Sequence, residues 1–236
     1  MKKVNVIGLG YIGLPTAIIL AKAGHDVVGI DVDENKVKKI NKGNPHFFEP
    51  DLEKALKEVI RNNKFKASLE IEIADIFIIA VPTPFKNSDN KIPIPNIDFV
   101  LQAVKSIAPF LKKNNSIIIE STCPVGTTNK VRKLIIQETT LNQNDFHLAY
   151  CPERVIPGNI LKEITTNARV VGGYDSISTN KIKNFYKSFC EGEISETNAS
   201  TAELVKLTEN AYRDVNIAFA NELSLICDEI DIDVRE

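Results

Sequence analysis

Short apolar runs alternate with longer amphipathic runs along most of the chain, and this alternation most constrains its fold. Strands are predicted at residues 3–9, 26–32, 65–69, 76–81, 116–121, 146–151, 168–173 and 192–197. Helices are predicted at about 11–24, 33–42, 50–62, 97–112, 125–138, 176–190 and 199–230. Because parallel strands need a crossover, usually a helix, the alternation predicts an α/β fold with a doubly wound, mainly parallel sheet.

The last predicted helix, residues 199–230, is far longer than the typical ~11–12 residues. No strand follows it in the sequence. We therefore expect residues 1–198 to form the sheet domain and residues 199–236 to begin a helical central domain. The longest irregular stretch, residues 82–96, contains four prolines and is predicted to be a functional or disordered loop.

Composition and charge argue against two classes of partner. The 236 residues carry a formal net charge of -2, and 43% are hydrophobic, as in ordinary globular proteins. Lys36, Lys38 and Lys39 lie beside Asp33 and Glu34 rather than in a basic stripe, so no nucleic-acid partner is expected. The longest apolar runs have the length of strands and are too short to span a bilayer, so no membrane association is expected.

The cysteines predict neither a metal site nor disulfides. Cys123, Cys151, Cys190 and Cys227 show no CxxC pair and no zinc-ligand spacing. The N-terminus enters a strand almost at once and has no signal-peptide pattern. We therefore expect reduced thiols in a cytoplasmic protein.

The sequence VIGLGYIGLPTA places Gly8, Gly10 and Gly13 between a predicted strand and a predicted helix. In this context GxGxxG is the fingerprint of a Rossmann-type dinucleotide-binding domain. The glycines allow a tight turn, close approach of a pyrophosphate and close packing of helix on strand. The helix N-terminus offers N–H groups to the phosphates. Tyr11 and Ile12 lie in the same loop and belong to the predicted cofactor site.

Asp31 closes the second predicted strand, where a carboxylate can accept hydrogen bonds from the adenosine ribose. A carboxylate there repels a 2′-phosphate, so NAD is expected rather than NADP. A glycine turn without a ligand is the alternative interpretation of the motif. We interpret Asp33, two residues later, as the N-cap of the next helix.

Three consecutive strands end in polar residues. Thr83 follows the strand at 76–81, Thr122 follows "SIIIES", and Glu153 and Arg154 follow "FHLAYC". Because ligands of open α/β sheets bind beyond the carboxyl ends of the strands, we expect Thr83, Thr122 and Glu153 to converge near the nicotinamide. The alternative for each residue is a capping or turn role.

Cys123 and Cys151 lie in the same region, where each is a candidate nucleophile by position. Both precede a proline at a strand end, and neither has a histidine nearby in the sequence. We therefore interpret both cysteines as structural.

Lys206 and Asn210 are four residues apart on the long last helix, and Arg213 continues the same face. A lysine can stabilise a developing alkoxide, and an asparagine amide adds a neutral donor beside it. Lys206 and Asn210 are therefore a candidate catalytic pair for oxidising an alcohol. The alternative is a lysine whose apolar stem lies along a domain boundary.

Five motifs resemble the UDP-glucose/GDP-mannose dehydrogenase family and occur in the family's order. They are GLGYIGLPTA, VPTPF, ESTCPVGTT, YCPERVIPGN and KLTENAYRDVNIAFANELSLIC. Together they extend over essentially the whole chain. The form of the fourth and fifth motifs is most similar to the branch of the family that acts on acetamido sugars.

The resemblance implies oxidation of the C6 alcohol of a UDP-sugar to a carboxylate with two NAD per turnover. A cysteine captures the aldehyde as a thiohemiacetal, which is oxidised to a thioester and hydrolysed. UDP-N-acetylmannosamine is the substrate that the resemblance favours, and UDP-N-acetylglucosamine is the alternative. The resemblance also implies a homodimer formed through residues 199–236.

The same resemblance implies cofactor and water-binding roles. The three glycines and Asp31 would bind NAD, with Thr83 near the cofactor. Thr122 would contact the cofactor region and help to hold a catalytic water. Glu153 would act in acid/base chemistry or order the water for thioester hydrolysis.

The remaining matched residues are implied to contact the substrate. Lys206 and Asn210 would stabilise oxyanions around C6, and Arg154 would bind the sugar nucleotide. Arg213 would contact the sugar or form an ion pair at the domain boundary, and the sequence does not decide between these roles.

The chain departs from the family pattern at two points. UDP-glucose enzymes carry a second glutamate where this chain has Pro157, which argues against UDP-glucose as the substrate. The family's nucleophile lies in a GGHC-type motif, and the 236 residues contain none. We therefore expect an N-terminal portion of the enzyme, without the C-terminal UDP-binding domain, that binds NAD but does not complete the oxidation alone.

Two alternatives stay open at the level of the sequence. A 3-hydroxyacid or 6-phosphogluconate dehydrogenase also has Lys and Asn one helical turn apart, and it performs a single oxidation. A non-catalytic NAD-binding subunit that needs a partner chain is the second alternative.

Overall fold

The fold was analysed in a computed structural model that describes residues 1–86 and 93–235. The strands are β1 (Lys3–Ile7), β2 (Asp26–Ile30), β3 (Phe65–Ser68), β4 (Ile76–Ile79), β5 (Phe85–Lys86), β6 (Ile94–Pro95), β7 (Ser116–Ile119), β8 (His147–Tyr150), β9 (Arg169–Gly173) and β10 (Ile194–Asn198). The helices are α1 (Gly13–Lys22), α2 (Glu34–Asn41), α3 (Leu52–Arg61), α4 (Asp98–Ile107), α5 (Thr127–Glu138), α6 (Ile160–Thr166), α7 (Ser176–Tyr186) and α8 (Ala199–Glu229).

The central sheet has the strand order β10-β9-β8-β7-β4-β1-β2-β3. All its neighbouring strands are parallel except β8 and β9, which pair antiparallel. The chain runs outward from β1 through β2 to β3 and then returns to place β4 on the other side of β1. The carboxyl ends of β1 and β4 therefore flank the point where the strand order reverses, which is where ligands bind in such sheets.

The central strands are largely apolar because helices cover both faces of the sheet. All four residues of β4 (Ile-Phe-Ile-Ile) and of β7 (Ser-Ile-Ile-Ile) are buried. One core lies between the sheet and α1, α3 and α7, and a second lies between the sheet and α4 and α5. The predicted doubly wound, mainly parallel α/β fold is confirmed.

Two short features differ from the sequence prediction. Helix α6 was not predicted, and its seven residues bury only Ile160 and Ile164, which is too few for a periodic pattern. The stretch predicted as an irregular loop contains the two-residue antiparallel pair β5–β6. The rest of that prediction falls partly on residues 87–92, which lie outside the described residues.

Helix α8 is buried near its start and, at its other end, at Cys227. Ala202, Glu203 and Lys206 pack against the sheet domain, whereas every residue from 210 to 223 is exposed. None of the helices in the described ranges combines the length and hydropathy needed to cross a membrane.

Candidate active site

The glycine loop follows β1 and has the geometry that the fingerprint predicts. Gly8 has φ +93°, and a Cβ there would lie 2.6 Å from the carbonyl oxygen of Ala80. A Cβ on Gly13 would lie 1.8 Å from the carbonyl oxygen of Gly8. A Cβ on Gly10 would meet nothing within 4 Å, so its backbone is open to the approach of a ligand.

Helix α1 begins without a side-chain cap. Its N-cap residue, Ile12, provides no hydrogen bond to the first turn, and that turn contains no acidic residue. The unpaired N–H groups at the start of a helix attract anions. Together with the open face of Gly10, this arrangement fits the pyrophosphate of a dinucleotide.

Asp31 lies after β2, where it is 8% exposed and accepts three hydrogen bonds. The donors are the Leu9 N–H at 3.0 Å, the Asp33 N–H at 3.1 Å and Lys36 Nζ at 2.8 Å. Burial by itself raises the pKa of Asp31, but these bonds outweigh it and the pKa lies below its ordinary value. The carboxylate is thus ionised and pre-positioned, as a ribose-binding acid requires.

Asp33 caps helix α2, as the sequence predicts. Its side chain accepts a hydrogen bond from the N–H of Lys36 at 3.1 Å. Lys36 itself was not predicted as part of the site. Lys36 contacts Asp31 and therefore lies beside the carboxylate that is expected to bind the ribose. The spacing of five residues between Asp31 and Lys36 was the sequence signal that could have indicated this contact.

The sheet brings the ends of β4, β7 and β8 together, because these strands are parallel neighbours. The Ser121 hydroxyl donates to the carbonyl oxygen of Val81 at 2.7 Å, which ties the end of β7 to the end of β4. Thr83 and Thr122 are half-buried at this edge, and Glu153 is buried. The predicted adjacency of these three strand ends is therefore present in the fold.

Glu153 forms a buried ion pair with Arg169 from β9. Nη2 of Arg169 donates to Glu153 Oε2 at 2.9 Å, and the backbone N–H of Arg154 donates to Glu153 Oε1 at 2.7 Å. The guanidinium also lies 4.9 Å from the ring centroid of Tyr186. Arg169 was not predicted as part of the site, although a single arginine in an apolar strand signals a buried partner.

Lys206 from α8 lies against the same segment. Its Nζ donates to the backbone carbonyl oxygen of Glu153 at 2.5 Å, and the side chain is buried. Burial lowers the pKa of Lys206, and the carboxylates of Glu153 and Glu209 raise it. The effect of burial is larger, so the pKa lies below its ordinary value. The structure thus brings together two of the predicted catalytic residues, Lys206 and Glu153.

The other predicted substrate-binding residues lie around Lys206. Arg154 forms an ion pair with Glu209 of α8. Asn210 and Arg213 are exposed, and Arg213 donates to Asn210 Oδ1 at 3.4 Å. Their roles at a substrate stay predictions.

Glu203 orients α8, and the sequence did not indicate it. Its fully buried carboxylate accepts the Gly126 N–H at 2.6 Å and the Thr128 N–H and hydroxyl at 2.7 Å each. These donors form the N-terminus of α5. Glu203 precedes Lys206 by three residues, so it lies on the same helix face, and that spacing was the available signal.

Glu120 is a second buried carboxylate that the sequence did not indicate. It accepts from the Tyr186 hydroxyl at 2.7 Å and the Thr16 hydroxyl at 3.3 Å. Burial raises its pKa to about 7, against the opposing effect of Arg169. An acidic residue at the end of an apolar strand was the signal.

The two candidate nucleophilic cysteines are inert. Cys123 and Cys151 are fully buried, and burial raises the pKa of each thiol to about 12. A thiol with such a pKa is not a thiolate at neutral pH and is a poor nucleophile. Within the described residues, no group of three or more His, Cys, Asp or Glu side chains is placed to hold a metal ion.

Comparison with protein families assigns both parts of the chain. Residues 2–190 match the NAD binding domain of the UDP-glucose/GDP-mannose dehydrogenase family, and residues 200–236 match the central domain of that family. The NAD cofactor expected from the fingerprint is thereby confirmed at the level of the domain.

Relatives with the same domains are dehydrogenases of nucleotide sugars. The chain is 47% identical to UDP-N-acetyl-D-mannosamine dehydrogenase of Campylobacter jejuni, over 99% of this chain and 59% of the relative. The protein of that name from Escherichia coli (strain K12) is 45% identical, over 99% and 56%. The structure of UDP-D-ManNAc dehydrogenase from Pyrococcus horikoshii matches with a TM-score of 0.92 and 42% identity, over 99% and 56%. The chain therefore spans about half the length of these relatives.

Proposed function

Because this chain belongs to the UDP-glucose/GDP-mannose dehydrogenase family, we propose that it binds NAD and takes part in oxidising the C6 alcohol of a UDP-acetamido sugar to the uronate. UDP-N-acetyl-D-mannosamine is the first candidate substrate, since relatives 45–47% identical carry that name. Family membership decides against the 3-hydroxyacid and 6-phosphogluconate dehydrogenase alternative.

One observation carries the proposal. Lys206 is buried beside Glu153, which follows β8 at the carboxyl edge of the sheet; two strands, β7 and β4, separate β8 from the β1 end that holds the glycine loop. Among the described residues, no carboxylate lies within hydrogen-bonding distance of Lys206 Nζ. Its ammonium is therefore available to a substrate oxygen at this edge of the sheet. A buried ammonium beside a substrate oxygen stabilises negative charge that develops there.

The chain's own residues supply charge and position. The glycine loop and Asp31 would hold NAD, which would supply the hydride acceptor for each oxidation. Removing a hydride from C6 requires the hydroxyl proton to leave as well. That proton passes to water at this edge of the sheet, and Lys206 stabilises the alkoxide as it forms. Asn210, one turn further along α8, adds a neutral donor to the same oxygen.

Thr122 and Glu153 are proposed to act on water at the same edge. Thr122 is half-buried beside the end of β4, where its hydroxyl can orient a water molecule. The carboxylate of Glu153 is paired with Arg169, so its direction is fixed. We assign Arg154 to the sugar nucleotide, with Glu209 keeping its guanidinium in place, and Arg213 to the outer side of the same site.

We also propose that residues 1–198 act as the cofactor domain and that residues 199–236 begin the dimerisation domain in a cytoplasmic homodimer. The support is the exposed apolar surface of α8, which includes Val215 at 67% and Phe219 at 69% exposure. Apolar side chains exposed in this number along one helix are typical of an interface.

Calorimetric titration with NAD and NADP tests the cofactor part of the proposal. The wild-type chain should bind NAD at least about tenfold more tightly than NADP, because the Asp31 carboxylate repels the 2′-phosphate. Asp31→Asn should reduce that preference, whereas the matched control Asp33→Asn should retain it. Absence of NAD binding, or equal binding of both cofactors, would contradict the proposal.

The sugar part is tested by titrating the NAD-saturated chain with UDP-N-acetylmannosamine, UDP-N-acetylglucosamine and UDP-glucose. We expect the first to bind most tightly. Lys206→Met should weaken the binding, because it removes the ammonium that faces C6. A preference for UDP-glucose would overturn the assignment to acetamido sugars.

A further inference from the structure

Glu49 lies between the glycine loop and the segment that follows β8. Its Oε2 accepts the Tyr11 hydroxyl at 3.0 Å and the Gly158 N–H at 3.1 Å. Its Oε1 accepts the Ile160 N–H at 2.9 Å. One carboxylate thus bonds to two segments that are far apart in the sequence.

These two segments carry the two halves of the candidate site. Tyr11 lies between Gly10 and Gly13, at the position expected for the pyrophosphate. Glu153, Arg154 and Gly158 lie in the segment between β8 and α6, and Ile160 is the first residue of α6. That segment, residues 151–159, has no regular secondary structure, so its position depends on side-chain contacts.

The other hydrogen bonds to residues 151–159 are concentrated near the start of the segment, where Lys206 donates to the Glu153 carbonyl oxygen and Asn167 to the Arg154 carbonyl oxygen. Near the start, Glu153 is held by Arg169, and Arg154 pairs with Glu209. In the middle, the Ile156 N–H donates to Glu163 Oε2 at 2.8 Å. At the far end, the hydrogen-bond partner that comes from outside both residues 151–159 and α6 is Glu49.

Glu49 is well suited to transmit a change at either segment. It is 6% exposed, although it lies in the connection between α2 and α3. The ring of Tyr11 packs 4.9 Å from that of Phe47 in the same connection, which limits its freedom. The backbone N–H groups of Ile160 and Gly158 lower the pKa of Glu49 against the opposing effect of burial, so the carboxylate is ionised at neutral pH.

We propose that Glu49 is a positioning residue that couples occupancy of the glycine loop to the geometry of residues 151–159. The inference rests on the proposed function, because it takes the glycine loop as the NAD site and Glu153 and Arg154 as part of the sugar site. When NAD fixes the backbone around Tyr11, the Tyr11 hydroxyl stays hydrogen-bonded to Glu49. Glu49 in turn fixes the turn at Gly158–Ile160 through the two backbone N–H groups that it accepts. By linkage, a sugar nucleotide that orders the turn strengthens NAD binding by the same factor.

Amide hydrogen exchange with and without saturating NAD tests this coupling on the chain as it exists. The Gly158 and Ile160 amides donate directly to Glu49, so their exchange reports these bonds. In the wild type, NAD should slow exchange in residues 156–162 by about fivefold or more, which corresponds to the lower end of typical coupling energies. The amides of α7 serve as an internal reference.

Two variants isolate the pathway. Tyr11→Phe removes only the hydroxyl that joins the loop to Glu49, and Glu49→Gln removes the charge while keeping the size. Both should lose the NAD-dependent slowing at residues 156–162. The control Glu53→Gln, which removes the same charge from a surface ion pair with Lys57, should keep it. Each measurement is made at NAD saturation, judged from the titration of that variant.

The outcomes separate the inference from the function on which it rests. NAD binding without slowed exchange at residues 156–162 would overturn the coupling alone, as would equal slowing in the wild type, Tyr11→Phe and Glu49→Gln. No NAD binding by the wild-type chain would overturn the proposed function and the coupling together. Slowing that is present in the wild type and Glu53→Gln and absent in the other two variants supports the coupling.

Discussion

Glu120 shares a buried region with a second carboxylate, Glu153, and with a single arginine, Arg169. One guanidinium cannot neutralise two buried carboxylates, and desolvation penalises the extra negative charge. Arg169 bonds directly to Glu153, whereas Glu120 bonds to the neutral hydroxyls of Tyr186 and Thr16. Glu120 is therefore the carboxylate that takes up a proton.

We expect the Glu120→Gln substitution to change how the free energy of unfolding depends on pH. The folded protein holds the proton up to about pH 7, whereas the ordinary pKa is 4.5, so the wild type loses stability as pH rises between these values. Glutamine cannot ionise and escapes this loss. The free energy of unfolding of the variant relative to wild type should therefore rise by roughly 3 kcal/mol between about pH 4 and about pH 8.

Urea unfolding at several pH values measures this difference. Glu70→Gln, at an exposed position, is the matched control and should show no comparable pH trend relative to wild type. A difference between Glu120→Gln and wild type that is independent of pH would show that Glu120 is ionised in the folded protein.

At the scale of whole elements, Glu203 is one of the residues through which α8 makes polar contacts with the sheet domain, beside Lys206 and Glu209. The Glu203 carboxylate accepts three hydrogen bonds from the first turn of α5 and lies on the same face as Lys206. A carboxylate at a helix N-terminus also interacts favourably with the helix dipole. The rotation of α8 about its axis, and with it the direction of Lys206, therefore depends on Glu203.

Glu203→Gln should destabilise the chain and displace Lys206. The amide retains one acceptor oxygen and places an N–H₂ group against the N–H donors of α5, so we expect a loss of about 1–3 kcal/mol in unfolding free energy. Urea unfolding measures the loss, and Glu222→Gln, on the exposed part of α8, should change stability by less than about 0.5 kcal/mol. An equal effect of both substitutions would argue against the anchor.

At the scale of the whole molecule, the sheet domain leaves residues 210–223 of α8 exposed. Tyr212, Val215, Phe219, Leu223 and Ile226 recur every three or four residues and are 41–73% exposed. A stripe with this spacing buries apolar surface only if another helix packs along it. A second copy of the chain supplies an identical stripe, which is why we expect a symmetric dimer.

The double substitution Val215→Asp and Phe219→Asp should therefore yield a monomer. Light scattering coupled to size-exclusion chromatography measures the mass directly, and the wild type should show twice the mass of the chain. Asn221→Asp adds a charge on the opposite face of α8 and should leave the dimer intact. A monomeric wild type would contradict the proposed interface.

Local sequence determined most of the elements and the cofactor loop. Alternating apolar runs locate the buried strands because the central strands are covered on both faces. Gly8, Gly10 and Gly13 identify the loop because only glycine tolerates the contacts at Gly8 and Gly13, while Gly10 leaves the backbone open to a ligand. Asp33 was identifiable as a cap because capping involves residues only three apart. Helix α6 and the β5–β6 pair escaped because two buried side chains, or two paired residues, leave no period to detect.

Tertiary structure alone decided which buried charges meet. The partners in Glu153–Arg169, Lys206–Glu153 and Glu203–Thr128 are 16, 53 and 75 residues apart, and Glu49 and Gly158 are 109 apart. Sequence patterns report the cost of burying a charge at one position, but they do not report which distant group offsets that cost. The fold settles these pairings. For example, β9 runs antiparallel to β8, so Arg169 at the start of β9 lies beside Glu153, which follows the carboxyl end of β8.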